Sequence, residues 1–177
     1  MKIVLSKKKL IKYIYKEKNL GFVPTMGALH LGHLSLIKKC KSQCDKTIVS
    51  IFINKPQFDR INDFKNYPRT SKKDIEKLRG LKIDYLYLPS NNQIYPNGRG
   101  RNIKINSFGN KLCGKFRPGH FKAVVDVVDR FVKIIKPRKI YLGKKDFQQL
   151  KIIEDYFIKK NIKTKVVACN TIRENNW

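Results

Sequence analysis

The sequence predicts an α/β domain with a doubly wound, mostly parallel sheet, and three observations carry that prediction. Short apolar, β-branched runs alternate along the chain with segments of helical periodicity. Several runs are closed by proline or glycine, as strands are at turns: Val23 is followed by Pro24, and Leu88 by Pro89. No internal repeat or low-complexity segment competes with this reading.

Leu20 to Val23 reads as a short buried strand, closed by Pro24 and Gly27. From about Gly32 to Lys41, Leu34, Leu36 and Ile37 recur among lysines at helical spacing. Thr47 to Ile53 is β-branched apart from Ser50 and Phe52, which suits a central strand. Ser71 to Leu81 reads as a helix started by Ser71, and Ile83 to Leu88 as the next strand. Asn91 to Gly100 is turn-rich, and Ile103 and Ile105 are placed in a short strand after it. Val124, Val127, Val128, Phe131 and Ile135 mark one face of a helix that begins near Gly119 and is ended by Pro137. Ile140 to Leu142 is a strand, Phe147 to Lys160 a helix and Thr164 to Cys169 a last strand.

At 177 residues the chain suits one well-packed domain, expected to run from residue 1 to 177. Hydrophobic residues make up 41% and charged residues 30%, the balance of a folded protein rather than a disordered tail. No apolar run approaches the roughly 20 residues that span a bilayer. Met1 to Ser6, followed by Lys7 to Lys9, lacks the order of a signal peptide, so a cytoplasmic location is expected. The four cysteines include no Cys-x-x-Cys pair, and reduced structural thiols are expected.

Forty Lys and Arg against thirteen Asp and Glu leave a net charge of +27. The basic residues are spread along the chain, from Lys2 to Arg173, without a dense arm, and lysine, isoleucine and asparagine are all abundant. That pattern fits compositional drift onto solvated faces better than a dedicated nucleic-acid surface. Salt-sensitive, non-specific affinity for polyanions is expected from the charge alone.

Four constellations carry chemistry. Pro24-Thr-Met26-Gly27-Ala28-Leu29-His30-Leu31-Gly32-His33 lies between a predicted strand and helix, where free N–H groups of a helix N-terminus attract phosphate. His30 and His33 can both point at one phosphate from the first turn and stabilise charge developing there. The spacing alone also fits two unrelated loop histidines. Zinc is disfavoured, since His120 is the only further histidine and no acidic residue sits nearby in sequence, and no metal ligands are expected. Asn54-Lys-Pro-Gln57-Phe58 follows the central strand, where amides suit a small polar substrate, although such a segment is more often a simple turn. Gly114-Lys-Phe-Arg117-Pro-Gly-His120-Phe121 is a loop that enters a helix. Gly143-Lys144-Lys145-Asp146-Phe-Gln148-Gln149 puts two lysines at a helix N-terminus, which is unfavourable unless an anion is bound there, but a solvated lysine pair fits about as well.

Taken in order with Ser50-Ile-Phe-x-Asn54, Tyr67-Pro-Arg-Thr70 and Tyr95-Pro-Asn-Gly98, these motifs resemble the pantothenate synthetase family from about Leu20 to Glu174. The histidine pair resembles the signature of the wider nucleotidyl-transferring and class I synthetase superfamily, which implies a Rossmann-like nucleotide-binding fold. The resemblance implies an ATP-dependent ligase that joins pantoate to β-alanine through pantoyl-adenylate, releasing pyrophosphate and AMP, in the biosynthesis of pantothenate. It implies that Met26 to His33 surround ATP, with His33 as general acid or phosphate donor and His30 beside it. It implies Gly143 to Asp146 on the nucleotide, with Lys145 catalytic on phosphate and Asp146 near the ribose, and Ile172 against the adenine. Gln57 and Gln149 would hold pantoate, with Asn54, Arg117 and His120 in the substrate region. Mg²⁺ is expected to accompany ATP, and a homodimer is implied, with no membrane and no specific nucleic acid as partner.

Three departures qualify the resemblance. Lys55-Pro56 stands where the family has proline one place earlier, and Asn170 stands where it has proline. The chain is also expected to stop, at Trp177, before the family's phosphate-gripping Ser-Ser-Arg-Asn loop and smaller C-terminal domain, which would impair catalysis. Two other functions stay open: another nucleotidyltransferase with the same histidine pair, and a non-catalytic basic protein that binds polyanions.

Overall fold

The computed structural model describes residues 1–100 and 103–173. Its strands are β1 (Lys2–Val4), β2 (Leu20–Thr25), β3 (Lys46–Ile51), β4 (Tyr85–Tyr87), β5 (Lys139–Gly143) and β6 (Lys165–Cys169). They form one sheet in the order β1-β4-β3-β2-β5-β6, with every neighbouring pair parallel. The helices are α1 (Lys7–Ile14), α2 (Leu31–Gln43), α3 (Ile61–Lys65), α4 (Ser71–Gly80), α5 (Asn91–Ile94), α6 (Cys113–Phe116), α7 (His120–Ile135) and α8 (Phe147–Lys159). From β2 the sheet is wound one way through β3 and β4 and the other way through β5 and β6. That is the doubly wound, Rossmann-like arrangement, with β2 at the switch point where ligands settle beyond the strand ends.

Strand residues alternate between two apolar layers. Leu20, Phe22, Ile48, Tyr85, Tyr87, Ile140 and Leu142 face the larger core, closed by α1, α7 and α8. Val23, Val49, Leu86 and Tyr141 face the smaller one with Ile37 of α2 and Leu78 of α4. Burial on both faces explains why the central strands read as nearly continuous apolar runs rather than as polar–apolar alternation. Phe131 of α7 packs its ring against Phe22, Phe52 and Tyr87, with centroids 5.4, 6.0 and 6.2 Å away. Among the described residues no helix is long and apolar enough to cross a membrane. All four cysteines are free, and burial pushes the Cys40 thiol up to about 12, which leaves it unreactive.

The structure differs from the sequence reading at its edges. Ile103 and Ile105, expected in a strand, lie in irregular chain packed against the larger core. Their alternation is satisfied by burial alone, and Ile105 fills the space that a side chain at Gly109 would occupy. The turn-rich stretch after Pro89 contains the single helical turn α5. β1 and α1 were not anticipated: β1 buries only Val4, and α1 buries Leu10 and Ile14 beneath a lysine-rich surface. The Leu10/Ile14 spacing of one helical turn was the available signal. α4 begins after Thr70, whose hydroxyl turns to the Asp74 carboxylate (3.1 Å) rather than capping the helix.

Candidate functional site

A cleft of about 730 Å³ opens beyond the carboxyl ends of β2 and β5, at the switch point of the sheet. His30, Leu31, Gly32 and His33 form one wall, Gly143 to Asp146 and Gln149 a second, and Asn170 to Arg173 the rim. Two motifs separated by 110 residues in sequence therefore share one cavity, because β2 and β5 are hydrogen-bonded neighbours. Ile172, proposed for the adenine, lines the rim and is half exposed. Glu174, where the motif resemblance ends, and Trp177 lie outside the described residues.

The two histidines are fixed by the helix they start. His30 is the N-cap of α2, and its Nδ1 accepts the Gly32 N–H at 3.1 Å. His33 Nδ1 accepts the His30 N–H at 3.4 Å, completing a reciprocal cap with the rings 4.1 Å apart. Gly32 is required here, since an added Cβ would lie 2.9 Å from the His30 ring. With both Nδ1 atoms accepting, each neutral ring carries its proton on Nε2, which becomes a donor. Burial first, then the neighbouring His30 and the Lys145 and Lys77 charges against the opposing Asp74, pushes His33 down to about 4. His33 is therefore a neutral hydrogen-bond donor at ordinary pH.

The second wall divides its charges. Lys144 donates to the Asn170 side chain at 2.9 Å, whereas no hydrogen bond or ion pair takes up the Lys145 ammonium among the described residues. Asp146 occupies the N-cap of α8 but makes no side-chain capping bond, which leaves its carboxylate to the cleft. The adjacent glutamines have separate fates. Gln148 is buried and ties α8 to Phe108, Lys111 and Cys113, while Gln149 lines the cleft.

Asn54, Gln57, Arg117 and His120 form a second group. Asn54 is 1% exposed, accepts the Tyr95 hydroxyl at 2.7 Å, and donates to Gln57 Oε1 at 3.0 Å and to the Ala123 carbonyl. Its amide is thus saturated, and it holds the Gln57 side chain by Oε1, which leaves the –NH₂ as the end not engaged by Asn54. His120 Nδ1–H donates to the Gln57 carbonyl at 2.7 Å and Nε2 accepts from Arg117, which is itself paired with Asp59. Burial and, more weakly, the Arg117 charge push the His120 pKa down, against the Gln57 carbonyl and the Asp59 and Asp146 charges that raise it. Arg117, His120 and Asn54 therefore position Gln57, and none of these four residues is among those that line the cleft.

Met26 to Leu29 sit differently from the sequence expectation, because none of the four lines the cleft. Leu29 is buried in the smaller core, and the Ala28 and Leu29 amides, expected near phosphate, are already paired with Asp74. No role was expected of Asp74, Tyr95 or Tyr141; Tyr95 opens the Tyr95-Pro-Asn-Gly98 motif and Asp74 follows the Tyr67-Pro-Arg-Thr70 motif, whereas Tyr141 gave no sequence signal. Among the described residues no three His, Cys, Asp or Glu side chains are placed to hold a metal ion, and Asp146 is the one carboxylate lining the cleft.

The model of the pantoate-beta-alanine ligase family matches residues 2–177. A pantothenate synthetase of Thermodesulfovibrio yellowstonii is 46% identical over 162 residues, which are 92% of this chain and 58% of that protein. Another from Francisella philomiragia is 48% identical over 160 residues, 90% of this chain and 61% of its own length. The chain thus spans about three-fifths of the length of these relatives. The crystal structure of a Francisella tularensis pantoate-beta-alanine ligase, complexed with beta-gamma ATP and beta-alanine, superposes with a TM-score of 0.92 at 42% identity. That match covers 99% of this chain and 69% of the Francisella tularensis chain.

Proposed function

This chain belongs to the pantoate-beta-alanine ligase family, and on that premise we propose that it uses ATP to activate pantoate and transfers the acyl group to β-alanine. The observation that carries the reading is the cleft at the switch point, where two Nε2–H donors, an unpaired ammonium and a free glutamine converge. A pantoate carboxylate oxygen attacks the α-phosphorus, the bond to the bridging oxygen breaks, and pyrophosphate leaves. The β-alanine nitrogen then attacks the acyl carbon, AMP departs, and the nitrogen loses a proton. No bond to the protein forms in either step, so rate comes from alignment and from stabilising charge at the α-phosphate.

In this reading His33 and His30 donate to the phosphates, Lys145 holds their charge, Asp146 meets the ribose and the Ile172 backbone meets adenine. Gln149 and the –NH₂ of Gln57, whose Oε1 Asn54 engages, hold pantoate. Mg²⁺ would accompany ATP, neutralising phosphate charge, with Asp146 the carboxylate of the cleft nearest to hand among the described residues. Residues 1–177 supply the nucleotide-binding domain, and a cytoplasmic homodimer, which light scattering would test, belongs to the same proposal. A nucleotidyltransferase without an acid substrate would leave Gln149 and the buttressed Gln57 without a purpose.

Pantoate-dependent exchange of labelled pyrophosphate into ATP is the direct test with the purified chain. Exchange above background supports the adenylate step. Its absence from a cooperatively melting protein would remove the activity from this chain while leaving its family membership untouched. Gln149→Ala is expected to raise the KM for pantoate about tenfold, the value of one hydrogen bond to a charged group, with the KM for ATP unchanged. Equal losses on both substrates would make Gln149 structural.

A further inference from the structure

We infer that Asp74 is a positioning residue for the nucleotide site: its buried carboxylate holds the backbone of Gly27 to Leu29 in the turn that aims His30 and His33 into the cleft. The inference rests on the proposed ATP site and adds a residue outside it.

Asp74 is 1% exposed, and a buried carboxylate is costly unless its oxygens are satisfied. Oδ1 accepts the Leu29 N–H at 2.8 Å; Oδ2 accepts the Ala28 N–H at 2.9 Å and the Thr70 hydroxyl at 3.1 Å. All three partners are donors, as an ionised carboxylate requires, and two of them are backbone groups more than forty residues away in sequence. One turn further along α4, Lys77 Nζ donates to the Leu29 carbonyl at 2.5 Å. Helix α4 therefore grips both the N–H and the C=O side of this loop.

The loop needs such a grip. Gly27 has φ +84° and Ala28 φ +51°, two successive left-handed residues, and the second is strained for any side chain. An added Cβ at Gly27 would lie 3.2 Å from Asp74 Oδ2 and from Ile51, so the carboxylate also sets how closely the turn approaches β3. His30, which caps α2 and begins the cleft wall, follows directly. Of its three bonds only the one from the Thr70 hydroxyl stays at the start of α4; the other two leave the helix for the loop. A purely structural buried acid would make stability, and not nucleotide selectivity, the first casualty of its loss.

In Asp74→Asn one side-chain oxygen becomes an N–H donor facing a backbone donor, so at least one loop amide loses its partner. Calorimetric titration with a non-hydrolysable ATP analogue is expected to show about tenfold weaker binding, while the KM for pantoate in the exchange assay stays unchanged. Equal binding by the variant and the unaltered chain would overturn the positioning role and leave the ATP site standing. An unaltered chain that binds no analogue would overturn the ATP site and this inference with it. If the variant does not fold, the Ala28 and Leu29 amide protons of the unaltered chain decide: slow hydrogen exchange supports the clamp, and exchange at the free-peptide rate refutes it.

Discussion

His33→Ala is expected to slow pantoate-dependent pyrophosphate exchange by about 10²–10³-fold, the loss typical of one preorganised donor at a developing anion. The expectation rests on its tautomer. The His33 Nδ1 is occupied by the His30 N–H, so the Nε2–H is directed at a ligand before any ligand arrives. Because alanine also removes half of the reciprocal cap, His33→Gln is the control. Glutamine at the third helical position can accept the same N–H, so it should restore stability while leaving the rate well below that of the unaltered chain. Near-normal exchange in His33→Ala would end its catalytic role.

The pH dependence follows from the same geometry. His33 falls from its ordinary 6.5 to about 4, so it stays neutral throughout the neutral range and contributes no inflection to the rate there. Below about 6.5 the unfolded chain takes up a proton that the folded chain refuses until about 4. Stability should therefore fall as pH drops through that interval and be level above it, as far as His33 is concerned. His120, also pushed down by burial, contributes with the same sign. A neutral-range rate inflection that vanished in His33→Gln would contradict the neutral-donor reading.

The parts of this molecule that were legible in the sequence are those that local chemistry dictates. β3 shows its burial in an almost unbroken apolar run and α7 in the spacing of its valines, and the strand–loop–helix motifs at His30 and Lys145 carry the phosphate-site pattern within ten residues or so. The clamp was hidden because its donors and acceptor are more than forty residues apart. Asp74 on its own looks like an acid in the first turn of a helix, where the dipole already favours it. Arg117 and His120 show the converse limit. Their types announce a site, but only the fold shows that they hold the Gln57 carbonyl. β1 buries one side chain, too little to mark a strand, and is recognisable only beside β4.

Lys145→Ala is expected to lower exchange by about 10²-fold or more, by removing charge at the phosphates, and to leave stability unchanged or slightly raised. The opposed signs are the diagnostic feature. A cation ahead of α8 faces the positive end of the helix dipole, so the folded protein without ligand gains nothing from Lys145. Its neighbour differs: Lys144 has a partner in Asn170, and Lys144→Ala should cost less activity. Removing Lys145 also lifts one of the influences that depress His33, so the His33 pKa should rise in the variant. NMR titration of the His33 ring would read that rise, and thermal melts the stability. A variant that lost stability and activity together, with His33 unmoved, would place Lys145 in the scaffold and leave the phosphates to the histidines alone.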